Sequence, residues 1–175
     1  MGLGQTLLTI LALVLMGRVV ISTNTTTLDA GFTKDMAEYR ISATSLGTSM
    51  LEQSSAMAFD EATVDSGTTN ASSLTVAASF GADATESSEE LYDDIDDYHN
   101  FTKIDSLEHS AIFKTTVSVT YVTVSGSDVV ATTTRSFSKQ VTVDITSDYL
   151  VDYSVTPAQP ETLRFKQIFS YWFFR

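Results

Sequence analysis

Asp93, Asp94, Asp96 and Asp97 crowd around Ile95 in the run ESSEELYDDIDDYHNF. Several carboxylates on one short loop are what a hard cation such as Ca²⁺ takes as ligands, so these four are the candidate calcium site, and no cofactor is expected beyond that one candidate. The run lacks the spacing and the glycine of an EF-hand loop. A plain solvated acidic loop accounts for the same residues. So does a packing role, in which Tyr92, Ile95, Tyr98 and Phe101 pin the loop onto a sheet. His99 and His109 are the only histidines, and cysteine is absent. There is no G-x-S-x-G, no H-E-x-x-H and no phosphate-binding glycine loop. A surface histidine beside a turn explains His99, and no enzymatic activity is expected. Haem attachment is unsupported, because no C-x-x-C-H occurs. Asn24, Asn70 and Asn100 head N-x-S/T triplets, which are acceptor sites for glycosylation but also arise by chance.

The elements that must position these residues differ along the chain. Net charge is −12 and the isoelectric point near 4.3, which argues against nucleic acid or an anionic lipid surface as partner. Serine and threonine are dense, and proline occurs only at Pro157 and Pro160. Such a surface suits an exported protein, and the lack of cysteine does not contradict that location. The length allows one domain plus an extended element.

Residues 3–21 are almost wholly apolar, in the order LGQTLLTILALVLMGRVVI. At 1.5 Å per helical residue they span roughly 28 Å, close to a bilayer's hydrocarbon core. A cleaved secretory signal would need a basic leader and a small-residue cleavage site, and STNTTT follows instead. A plain membrane anchor fits the length. Arg18 is costly for a lipid-facing span unless it snorkels to one end. Gly17, the β-branched Val19, Val20 and Ile21, and the serine and threonine run after them make residues 17–27 a weak helix stretch. They are either stretched in an assembly or held as continuous helix by neighbours.

Across residues 28–62 an apolar seam recurs at steps of three and four: Phe32, Met36, Tyr39, Ala43, Leu46, Met50 and Met57. Charges occupy the other face. A helix through residue 62 would reach about 90 Å, more than a small domain can cover, so its first third needs lipid or other subunits. Residues 63–73 read as loop, and the alternating Leu74, Val76, Ala78 and Phe80 as a short strand. An irregular acidic loop is expected over residues 83–105. The last third alternates as strands: residues 112–124, a hairpin at Ser125-Gly126-Ser127-Asp128, residues 135–146 with Phe137, Val141, Val143 and Ile145 on one face, and residues 163–173. The fold class is therefore α+β: a long helix packed on an antiparallel meander, with residues 63–175 as the globular β domain. The terminal aromatics from Tyr171 onward are expected to pack on the helix seam or at a subunit boundary.

This layout resembles the type IV pilins and pseudopilins. The likeness rests on Met1, a polar residue at position five, the long aliphatic helix, the acidic DDIDDYHN segment and the helix-then-meander order. Family members begin with a methylated Phe or Met and carry Glu at position five, which meets the terminal amine of a neighbour. Gln5 stands there in this chain. A neutral amide still donates and accepts hydrogen bonds, and costs less in lipid than a carboxylate. The resemblance implies a structural protomer of an extracellular type IV pilus-like filament on the cell surface, assembled without covalent bonds. Its partners would be copies of itself, the inner membrane before assembly, the pilus assembly machinery and a prepilin peptidase that frees and methylates Met1. The filament core would hold Met1, Gln5, Leu7, Leu8, Ile10, Leu11, Leu13, Val14, Leu15 and Arg18. Two alternatives share the helix: a minor pseudopilin of a secretion or pilus machine, and a membrane-anchored adhesion domain that never polymerises.

Overall fold

The computed structural model describes residues 2–106, 111–126 and 128–171. The chain divides into two compact units, Met1–Arg40 and Ile41–Arg175. The first is the leading part of helix α1, which runs over Leu3–Ser55. It is long and apolar enough to cross a membrane, and its apolar window buries nothing within the protein. Leu7, Ile10, Leu11, Val14 and Leu15 are all more than half exposed. Residues 17–27 are helical in the single chain. Their hydroxyls turn inward: Thr23 Oγ1 donates to the Val19 carbonyl, Thr26 to Ser22 and Thr27 to Thr23. This back-bonding satisfies the threonines without a partner chain.

The second unit begins with the last turns of α1, which bury Ala43, Gly47, Met50, Leu51 and Ser54. That spacing places them on one stripe. Of the expected seam, Ala43 and Met50 are buried, Met36, Tyr39 and Leu46 half-buried, and Phe32 exposed. Met57 lies beyond the helix, which stops seven residues before the expected end. The reason is local competition. Ala58 forms an isolated parallel bridge with Asp94, its N–H donating to the Asp93 carbonyl at 2.9 Å. Asp60 then caps a 3₁₀ turn, Glu61–Thr63, in a capping box with Thr63.

Among the described residues, five antiparallel strands form one sheet: β1 Thr102–Ser106, β2 Ile112–Ser125, β3 Asp128–Thr132, β4 Ser138–Asp152 and β5 Gln159–Ser170. The order is β1-β2-β4-β5, and β3 pairs with β2. Tyr121 is opposite both Thr132 of β3 and Lys139 of β4, so β3 and β4 flank β2 on opposite sides. The expected hairpin at residues 125–128 is present, with Gly126 at φ 68°, a left-handed angle glycine adopts freely. One face is buried as a ladder: Thr115 opposite Ile145, Val117 opposite Val143, Val119 opposite Val141, and Tyr121 opposite Lys139. Strict alternation produces it, since successive side chains point to opposite faces.

Two expectations are corrected. Residues 74–80 are not a strand: one 3₁₀ turn, Ala71–Ser73, precedes them and another, Ala77–Ser79, lies within them. The Thr75 N–H goes to the Asp60 carboxylate at 2.9 Å rather than to a neighbouring strand. Residues 83–105 are not wholly irregular: they hold 3₁₀ turns at Glu89–Leu91 and Asp96–Tyr98, then enter β1. The polar sequence TKIDS gives no alternation signal, and its Ile104 is 69% exposed. Strand β5 ends at Ser170, and the expected strand residues 172–173 lie outside the described residues.

Candidate functional site

The acidic run folds into two separate arrangements. Asp96 and Asp94 are buried, and Asp96 forms an ion pair with Lys139. Glu86, Asp93 and Asp97 form the second group, with one carboxylate oxygen each within 4.8 Å of one another. The expected quartet is therefore not one ligand set. Asp97 accepts from the Asp93 and Asp94 N–H groups at 3.1 and 3.2 Å, and Glu86 from the Asp83 N–H at 2.8 Å. The Glu86 and Asp97 carboxyls therefore stand close together in a half-buried acidic group. Burial, with the Asp97 charge beside it, raises Glu86, and burial likewise raises Asp97.

The aromatic residues of the run behave as the packing alternative expects. Tyr92, Tyr98 and Phe101 meet edge to face at 5.2 to 5.9 Å between ring centroids, and Ile95 and Tyr98 are buried. His99 accepts at Nδ1 from the Val119 N–H, which makes it a strand anchor.

The chemistry of the domain concentrates on Lys139, which the sequence did not single out. Lys139 takes the place that strand alternation assigns to an inward side chain, one step before Val141, and is fully buried. Its Nζ donates to the Phe59 carbonyl at 2.6 Å, to Asp60 Oδ2 at 2.8 Å and to Asp96 Oδ1. The rings of Phe59, Phe80 and Tyr121 wall it in, with centroids 4.7, 5.0 and 5.5 Å away. An ammonium out of water needs such complete pairing, because its desolvation is costly.

The carboxyls around Lys139 are held differently. Asp60 accepts from the Thr75 N–H and Oγ1, the Ala62 N–H and the Tyr121 hydroxyl. Burial works against its charge, but Lys139 and the backbone donors win and hold Asp60 below the usual carboxylate range. Burial raises Asp96 despite Lys139. Asp94 is pushed up to about 9 by burial and by the charges of Asp96 and Asp97. Asp94 Oδ1 accepts from the Asp96 and Asp97 N–H groups at 2.7 and 3.2 Å, which holds its carboxyl beside that of Asp96.

No protein-family model, curated protein or solved structure matches this chain. The long N-terminal apolar helix and the antiparallel sheet onto which its last turns pack are consistent with a pilin-like fold. The candidate core residues Gln5, Leu7, Leu8, Ile10, Leu11, Leu13, Val14, Leu15 and Arg18 all lie on the exposed first part of α1. Met1 lies outside the described residues. Of the three acceptor asparagines, Asn24 is exposed on α1 and Asn100 is exposed in a left-handed conformation at φ 66°. Asn70 is exposed too, with its Oδ1 taken by the Ser72 N–H. Tyr171 packs on Phe59 and Phe137, and its hydroxyl accepts from the Thr68 N–H. The remaining terminal aromatics, Trp172, Phe173 and Phe174, lie outside the described residues.

Proposed function

We propose that this chain is the structural protomer of an extracellular, type IV pilus-like filament that is held in a membrane before assembly. One observation carries the reading. The apolar surface of α1 is exposed on all sides over residues 3–21, while the last turns of the same helix bury one stripe against the sheet. An apolar face round a whole helix needs lipid or other helices to cover it. Bundling with copies of itself exchanges lipid for neighbouring helices, with close packing rather than water release as the gain. Once outside the membrane, that bundle would hide apolar area worth roughly 25 cal/mol per Å². Leu7, Leu8, Ile10, Leu11, Leu13, Val14 and Leu15 would supply it. Arg18 requires a carbonyl or a carboxylate from a neighbour, and Gln5 hydrogen-bonds near a neighbour's terminus. The acidic, serine- and threonine-rich domain would face water. The reading includes no catalytic role.

Electron microscopy of sheared surface material tests this. Wild-type cells should yield filaments with this chain as the dominant band. Leu11→Asp should abolish them while the β domain stays folded. Membrane-held protein without filaments in the wild type would instead favour the anchored domain, and a trace band within filaments of another protein the minor pseudopilin.

A further inference from the structure

We propose that Lys139 and Asp96 condense into an intramolecular isopeptide bond, joining β4 to the acidic segment. The inference is independent of polymerisation. Three features of the geometry carry it. The nucleophile and the carboxyl are already in contact and both are buried. Three aromatic rings surround the amine and exclude the water that would compete with or reverse the reaction. A third carboxyl, Asp94, sits beside Asp96, its Oδ1 accepting from the Asp96 N–H at 2.7 Å, and burial pushes it up to about 9, so that it carries a proton at neutral pH.

The step balances without an oxidant or co-reactant. Lys139 Nζ gives one proton to the touching Asp96 oxygen, which turns the ion pair into a neutral amine and acid. The Asp94 proton polarises the Asp96 carbonyl, and Nζ adds to Cγ. Asp94 then hands its proton to the departing hydroxyl and recovers a second proton from nitrogen. One N–C bond forms, one C–O bond breaks, and one water leaves. The remaining amide N–H keeps an acceptor in the Phe59 carbonyl or in Asp60. Asp60 is the less suited acyl partner, because Thr75, Ala62 and Tyr121 already hold it as a carboxylate. The bond would link residues 43 positions apart in the chain.

Mass spectrometry of the full-length chain, purified in detergent and digested with trypsin, tests the proposal. Condensation blocks cleavage after Lys139, so residues 41–103 should appear joined to residues 136–164, about 18 Da lighter than the two peptides together. Fragmentation should place the branch at Asp96. Asp94→Asn, which keeps the size of the side chain but lacks the acid proton, should give mostly unbranched peptides. Unbranched wild-type peptides would overturn the proposal, as would a branch at Asp60. Asp94→Asn branching as fully as wild type would overturn the role given to Asp94.

Discussion

Lys139 Nζ and Asp60 Oδ2 lie 2.8 Å apart, and neither side chain reaches solvent. The pair ties β4 to the turn that follows α1. In the chain not yet condensed at Asp96, truncating the cation would strand Asp60 and Asp96 as uncompensated buried carboxyls. Lys139→Met should therefore cost about 3–5 kcal/mol, read as a lower midpoint in urea unfolding. A midpoint within error of wild type would show that the carboxyls find other partners.

Proton linkage gives the domain an unusual pH slope. Asp94 rises from its ordinary 3.8 to about 9, and Glu86, Asp96 and Asp97 move the same way. For a group raised by folding, the stabilisation is fully present below the unfolded value and lost as pH climbs through the folded one. Melting temperature should fall steadily from about pH 5 to pH 9. Asp94→Asn should flatten that slope. Asp60 works in the opposite sense: its contribution is present above its ordinary value and lost as strong acid protonates it. A melting temperature that climbs between pH 5 and pH 8 would contradict this assignment.

Gly47 lets α1 approach the sheet. A Cβ there would run into the Phe165 ring, too close without movement of the ring. Gly47→Ala should lower the unfolding midpoint by an amount equivalent to about 1–3 kcal/mol. Gly31→Ala, whose added carbon meets open space, is the control and should leave that midpoint in place. Equal effects of the two substitutions would remove the packing explanation.

On the filament proposal, Gln5→Leu separates membrane insertion from assembly. The apolar replacement suits lipid but loses the amide's donors and acceptor. Quantitative immunoblots should show an unchanged membrane pool and several-fold less sheared filament. An unaltered ratio between the two would show that Gln5 plays no part in assembly.

Several elements were legible from local pattern alone. The apolar run at residues 3–21, the seam through Ala43 and Met50, and the alternation of β2 and β4 each repeat with the period of their own element. The seam's extent was not legible. Met57 continues the spacing, but the bridge from Ala58 to Asp94 draws the chain out of the helix first. Nor was β1, whose few polar residues are ordered by pairing with β2 rather than by burial of their own.

The sequence by itself determined that an apolar helix precedes an antiparallel β domain, because periodicity and hydropathy are properties of neighbouring residues. It also marked Asp93, Asp94, Asp96 and Asp97 as chemically dense. Only the tertiary structure decided how they are used. A lysine far along the chain is brought onto Asp60 and Asp96, which splits the aspartates between a buried cation and a carboxyl group gathered with Glu86. Pairing across such a distance is set by strand register, Tyr121 opposite Lys139, and no local spacing encodes it.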